Sequence, residues 1–283
     1  MLNDPGLRGR ALRLTAMILV ASAVVYLGSG RCLDAKEVET KIDSSRGHII
    51  IDFSDYTGGS VENWLRTRRF KFEKDAKDRA LLGLSVSDQR LELTAKGRLT
   101  GFILNDSINF SNVGKVRIDW GVGRYPLEAS YEKKVNNEAL MIYIFFGTEK
   151  VSSGHLFIPD SPHFIGLFLC QDERVNVPYK GRYFHAGGRF VCLGKPVPGQ
   201  MVASEFDLDH AFKSYFGKHQ TPTITGIGLG VDTSKAGDSG RSAAFLKSLE
   251  FFKKGGSTAT FDPPDTKSRL SLSLLHPSPY ASE

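Results

Sequence analysis

The sequence predicts an all-β protein: an antiparallel β-sandwich with one short helix around 207–216. Three observations predict it. The chain of 283 residues carries 29 Gly, 12 Pro and 19 Phe but only 4 Met and 2 Trp, a turn-rich and β-leaning composition. About a dozen strand-like runs recur at 8–20-residue spacing with turn residues between them, which is sandwich or barrel spacing. Apolar and polar residues also alternate within runs, as where Val116, Ile118 and Trp120 share one face and Arg117 and Asp119 the other. Such alternation marks a strand with one buried side. The 41% hydrophobic and 24% charged fractions are those of a globular chain and exclude a wholly disordered one.

In chain order the first element is an export signal. Residues 1–13 are polar and carry Arg8, Arg10 and Arg13, and Leu14 to Leu27 is an uncharged apolar run followed by Gly28, Ser29 and Gly30. A basic segment, a short apolar core and small residues form a secretory signal peptide. The run falls short of the ~20 residues that span a bilayer comfortably. Residues 1–35 are therefore read as a signal peptide, cut after Gly30 or Ala35, or else as an N-terminal anchor left in the membrane through residues 14–30. Cys32 invites lipoprotein processing, but Arg31 stands before it where that processing wants a small residue. The expected location is extracytoplasmic, periplasmic or secreted. Without residues 1–35 the chain keeps 33 basic and 29 acidic residues, a net +4 against +6 for the whole. That excess is too small to indicate nucleic acid as a partner.

The strand-like runs are His48–Phe53, Arg69–Glu73, Ala80–Val86, Arg90–Thr94, Gly101–Leu104 and Lys115–Val122, then Ala139–Phe146, His163–Cys170, Tyr183–Leu193, Gln200–Phe206, Thr223–Val231 and Ala243–Phe252. Met141–Phe146 is apolar on both faces and should be a central strand. The helix, Asp207–Phe216, opens on acidic cap residues, places Leu208, Ala211, Phe212, Tyr215 and Phe216 on one stripe and stops at Gly217. Beyond Phe252, Gly255, Gly256, Pro263, Pro264, Pro277 and Pro279 break the text. The expected organisation is a folded domain over 45–254 and a disordered tail over 255–283.

The motifs VRIDWGV, NNEALMIYIFFG, ASEFDLDHAFKSYFG and ITGIGLGVDTSKAGDSGRSAAFLKSLEF come in that order. Together they resemble the exported bacterial proteins grouped as domain of unknown function 3047. The last block is also similar to the closing strands of jelly-roll carbohydrate-binding modules. The resemblance implies a β-sandwich outside the cytoplasm and no particular activity. The sequence departs from the family pattern at Asn136, Asn137 and Met141, where the family has two Asp and an Arg.

Cys170 and Cys192 form an even pair once Cys32 is set aside. In an oxidising compartment they make one disulfide, or stay as two separate buried thiols. Asp232, Thr233, Asp238 and Ser239 share one loop. Asp232 and Asp238 are the metal-ligand candidates, for a structural calcium; the competing reading is a polar turn that bonds its own backbone. No other cofactor is expected. The seven His lack zinc spacing, and no Ser-hydrolase, P-loop or Rossmann motif occurs. Gly226-Ile-Gly-Leu-Gly230 reads as sheet packing.

Tyr125, Tyr131, Tyr179, Tyr183 and Trp120 are rings that could stack on sugars. Trp120 alternates with core residues, whereas Tyr125, Tyr179 and Tyr183 lie beside Pro or Gly in loop text. With His185 between them and the second Cys, Tyr125, Tyr179 and Tyr183 are the candidate ligand-binding residues. The leading expectation is a non-catalytic exported module that binds glycan or an envelope protein. An enzyme acting on polysaccharide and an assembly subunit of an extracytoplasmic complex are the alternatives. Glu138, Asp119, Glu205, Asp207 and Asp209 are available carboxylates, but no spacing selects a pair. A carboxylate pair 5–10 Å apart in a cleft would mark the enzyme, an open groove with exposed Tyr a glycan site, and a dry exposed patch an assembly role.

Overall fold

The computed structural model describes residues 42–43, 48–181, 183–237 and 240–255. The expected signal or anchor over 1–35 and the tail beyond Gly255 lie outside the described residues. Along the chain, β1 (Ile42–Asp43) and β2 (His48–Asp52) precede helix α1 (Val61–Thr67). Next come β3 (Lys71–Lys74), a 3-10 turn (Asp75–Lys77), β4 (Leu82–Ser87), β5 (Arg90–Ala95), β6 (Thr100–Asn105), and the long strands β7 (Val113–Arg124) and β8 (Glu138–Val151). Then β9 (Ser161–Phe168), β10 (Pro178–Tyr179), β11 (Gly188–Cys192), β12 (Val202–Asp207), helix α2 (Leu208–Phe216), β13 (Ile224–Asp232) and β14 (Ser242–Lys253) complete the fold.

Two sheets form. In the first, β14 pairs β7 along one side. Its other side is shared: β5 takes Ser242–Leu246 and β2 takes Ser248–Phe252. β12 extends this sheet beyond β7, and β4 extends it beyond β5. The second sheet runs β10-β11-β9-β8-β13-β6-β3, so the doubly apolar strand β8 does lie at its centre. Among the described strands all pairings are antiparallel except β9 with β11. That parallel pair needs a long crossover, and residues 169–187 supply it.

The alternation of β7 delivers Val116, Ile118 and Trp120 to the space between the sheets, where each is buried. From the facing sheet Leu140, Ile142, Ile144 and Phe146 of β8 and Ile227, Leu229 and Val231 of β13 fill the same core. Full burial of one such side chain contributes ~1.5–3 kcal/mol. Trp120 takes a polar atom into this core, and its Nε1 donates to Ser204 Oγ at 3.0 Å. Among the described residues no helix is long and apolar enough to cross a membrane.

Helix α1 was not legible in the strand pattern. Ser60 caps it by accepting from the Asn63 amide at 3.2 Å, and Leu65 anchors it in the core. The basic residues that follow Trp64 divide between two elements. Arg68 ends the helix and stacks 3.6 Å over the Trp64 ring, while Lys71 and Lys74 lie on the true edge strand, β3.

Helix α2 follows its sequence signals. The Asp207 side chain accepts from the His210 amide at 2.9 Å, and Gly217 ends the helix in the left-handed region. Phe212 packs on Phe146, ring centroids 4.8 Å apart. Asp209 ties the helix to the end of β14. It accepts from Lys254 Nζ at 2.7 Å, Thr221 Oγ1 at 2.6 Å and Lys213 Nζ at 2.9 Å. Partial burial raises its pKa, but the bonds from Lys254, Thr221 and Lys213 outweigh this and hold it at about 2. A carboxylate with a depressed folded pKa adds stability above its unfolded pKa and loses it as pH falls through the folded one. Asp209→Asn is predicted to lower the melting temperature at pH 5 and above. The gap to the parent should close as pH falls from about 4 toward about 2 in a pH series of thermal melts.

Candidate functional site

The outer face of an antiparallel sheet commonly meets water and is polar. Here the outer face of the second sheet is aromatic. From β8, Met141, Tyr143 and Phe145 point away from the sandwich core, and Phe164 and Phe168 of β9 and Phe190 of β11 join them in a second cluster. The opposing positions on β13 carry no side chain. A Cβ at Gly228 would lie 2.6 Å from Leu104 Cδ2, and one at Gly230 would lie 2.6 Å from Tyr143 Cε2. The glycine run thus acts as sheet packing: neighbouring side chains lie over the strand.

This floor opens into a cleft of about 530 Å³. Phe102, Tyr143, Phe145, Phe164 and Phe190 line its base, and Ile158, Pro159, Tyr183 and Phe184 form a wall from two loops. One end is polar, with Glu138, Asp232, Asn136, Ser234 and the lysines Lys74 and Lys235. The Tyr183 wall belongs to the crossover between β9 and β11. Cys170 and Cys192 are joined by a disulfide, Cα atoms 5.8 Å apart, which closes a loop that holds this crossover and β11. A closure of this length contributes ~3 kcal/mol in the chain-entropy model.

Glu138 reaches the cleft by an irregularity. In β8 the core-facing positions are 140, 142, 144 and 146, so strict alternation would send Glu138 into the core. Between Gly230↔Met141 and Asp232↔Glu138 the register shifts: β8 advances three residues while β13 advances two. Ala139 and Leu140 consequently both enter the core, and Glu138 turns outward beside Asp232. Bulges re-aim side chains in this way.

The two carboxyl groups sit in unequal surroundings. Glu138 is 5% exposed and its Oε2 accepts from the Tyr131 hydroxyl at 3.3 Å. Burial, then the neighbouring Asp232 charge and that of Glu173, push its pKa well above the usual carboxylate range, against the Tyr131 bond. Burial also raises Asp232, but it is opposed by bonds from the Ser234 hydroxyl and amide, a bond from Thr100 and the Lys74 charge. Burial and the Glu138 charge raise Tyr131 and Tyr143 as well, so both phenols stay protonated.

The residues selected from the sequence divide. Tyr183, Tyr131 and Asp232 line the cleft. Tyr179 stands behind it: its ring lies 6.0 Å from Tyr131, and its hydroxyl donates to Glu132 Oε1 at 3.0 Å and accepts from the Arg174 amide at 2.9 Å. His185 is exposed and does not line the cleft. Tyr125, expected as an exposed ring, is instead buried at 8% exposure. Its hydroxyl donates to the Pro196 carbonyl at 2.9 Å, and burial pushes its pKa up to about 12. The loop text beside it misled because the long strand β7 runs through Arg124 and carries the next residue inward. Of the metal candidates, Asp232 accepts from Ser234 and Asp238 lies outside the described residues. Among the described residues no group of three or more His, Cys, Asp or Glu gathers. The sequence reading missed the five rings of the base. The signal was a strand apolar on both faces, Tyr143-Ile-Phe145, together with alternating glycines in Gly226–Gly230.

No family model matches the sequence and no curated protein does, so the resemblance to domain of unknown function 3047 rests on its motifs alone. Three of the solved structures similar to the chain are as follows. The carbohydrate recognition domain of Emp46p in its potassium-bound form is 8% identical with a TM-score of 0.37, over 71% of this chain and 95% of that one. Winged bean acidic lectin complexed with methyl-α-D-galactose is 11% identical with a TM-score of 0.37, over 72% and 98%. A family 11 carbohydrate-binding module from Clostridium thermocellum, in complex with a mixed-linked tetrasaccharide, is 9% identical with a TM-score of 0.32, over 73% and 96%.

A carboxyl whose folded pKa lies above its unfolded value withdraws stability as pH rises from the unfolded pKa toward the folded one. Glu138→Gln removes that loss. The variant is predicted to match the parent near pH 4 and to melt at a higher temperature at pH 7. A parent more stable than the variant at pH 7 would show that Glu138 is held ionised.

Proposed function

We propose that the protein binds a glycan in the aromatic cleft, outside the cytoplasm. One observation carries the reading: the cleft pairs an aromatic base with a polar end. A saccharide has apolar C–H faces and a rim of hydroxyl groups. Its faces suit Phe102, Tyr143 and Phe145, and its hydroxyls suit Glu138, Asp232, Asn136 and Ser234. A wholly apolar ligand would strip water from those polar groups and return no hydrogen bonds, at a cost of ~1–3 kcal/mol for each group left unpaired. The volume of about 530 Å³ lies within the range of small-molecule sites, which suits a few sugar units rather than a protein surface. The Cys170–Cys192 bond supports an oxidising location, in keeping with the basic-then-apolar N-terminal sequence.

The test is a glycan array followed by calorimetry with the soluble oligosaccharides it selects. Phe102→Ala and Tyr183→Ala each remove one ring from the cleft without touching the sandwich core. Ring-face contacts are worth ~0.5–1.5 kcal/mol, so each variant is predicted to bind about 2–10-fold more weakly. Tyr125→Phe, outside the cleft, should bind as the parent does. Equal affinity in the parent and both ring variants would place the ligand elsewhere.

A further inference from the structure

Glu138 and Asp232 are direct register partners on adjacent antiparallel strands, and both line the cleft. Directly paired residues on one face hold their Cβ atoms ~4.5–5.5 Å apart. The bulge is what makes them a pair, since without it Glu138 would lie in the sandwich core. Bulges of this kind recur beside active sites. The groups around the pair come from several elements: Tyr131 and Glu173 from loops, Tyr143 from β8, Thr100 from β6, Ser234 from the turn after β13 and Lys74 from β3, with Lys235 and Asn136 lining the same cleft. Around Asp232 burial raises the carboxyl, while hydrogen-bond donors from Ser234 and Thr100 and the Lys74 cation pull it back toward a carboxylate. Around Glu138 burial and two further acids, Asp232 and Glu173, favour a carboxylic acid and outweigh the hydroxyl that Tyr131 donates. Two carboxyl groups whose surroundings separate their proton affinities form an acid and a nucleophile or base.

We propose that the cleft hydrolyses a glycosidic bond, with Glu138 as the proton donor and Asp232 as the nucleophile. The proposal rests on the reading of the cleft as a glycan site. In the first step the C–O bond to the leaving sugar breaks, and the Glu138 proton passes to the departing oxygen. A carboxylate oxygen of Asp232 bonds to the anomeric carbon. In the second step a water gives a proton to the Glu138 carboxylate, and its oxygen displaces Asp232 from that carbon. The sum is one glycosidic bond and one water converted to two sugars, with both side chains restored. A separation near 5–5.5 Å suits direct attack and retained configuration, whereas inversion needs ~6.5–9.5 Å to admit a water between the groups. Direct attack by Asp232 makes the proposed reaction a retaining one, and the anomeric configuration of the products tests that assignment.

The experiment incubates the full chain with reducing-end-labelled gluco-, xylo-, manno-, galacto- and chito-oligosaccharides, choosing for kinetics those that bind by calorimetry. The parent should release shorter labelled products whose anomeric configuration, read by proton NMR, is retained. Glu138→Gln and Asp232→Asn should each lower the rate by about 100–10,000-fold, a larger factor than either loses in binding by calorimetry. A 2-deoxy-2-fluoro glycosyl fluoride of the sugar hydrolysed should add its glycosyl mass to the peptide containing Asp232. Thermal melts of both variants check that the fold survives. Oligosaccharide bound but left intact by the parent would overturn the catalytic inference and leave the glycan reading standing. Equal rates in parent and variants would overturn it too, by assigning the activity to another source. Inverted products would remove the nucleophile role from Asp232. No binding by any of the oligosaccharides would overturn both readings.

Discussion

Strand β13 can lie between β8 and β6 with its outer face bare because positions 226, 228 and 230 are glycine. Everything distinctive about the second sheet follows from that absence of side chains. Tyr143 lies over Gly230, and Leu104 over Gly228, at distances that a Cβ would forbid. The rings of β8 and β9 therefore form a floor instead of standing apart. Phe102 meets Tyr143 edge-on at 5.7 Å, and Tyr143 stacks on Phe145 at 6.2 Å. The sheet thus buries apolar surface on both sides: one side closes the sandwich, and the other leaves a cleft.

The walls depend on a different constraint. β9 and β11 run parallel, so the chain must travel back along the outside of the sheet between them. That return places Tyr183 and Phe184 above the floor. The Cys170–Cys192 bond ties the start of the return to the far end of β11. Glu173, within it, accepts the Tyr131 amide at 2.9 Å and so holds the ring that bonds Glu138. Covalent closure, backbone capture and ring packing converge on the polar end of the cleft. Preorganised groups of this kind bind or react without first having to be ordered.

The sequence made the sandwich legible and the site only partly so. Apolar strand-like runs between turn residues located twelve of the strands, because each carries a face into a shared core. The central place of β8 followed from its apolar faces, and Trp120 was assigned correctly from its neighbours. Short elements escaped: β1 and β10 have two residues each, and α1 has seven, too few for a period to show. Tyr125 was misread because adjacency to proline says nothing of how far a strand continues. Glu138 was visible as a residue but not as a site, because alternation assigns it to the core and a one-residue bulge reverses that. The partnership of Glu138 with Asp232, 94 positions later, is a property of register and has no local signature.

The account stands on the glycine bed beneath the aromatic floor, and Gly230→Ala tests it most directly. The added methyl meets the Tyr143 ring and must lift it into the cleft, while the core on the other face of β13 is untouched. Calorimetry with a soluble oligosaccharide that the parent binds, alongside a thermal melt, reads both consequences. The predicted result is a folded protein whose affinity for that oligosaccharide falls at least tenfold, about 1.4 kcal/mol. A folded variant with unchanged affinity would contradict the account, because the ligand would then not lie on the floor these glycines create.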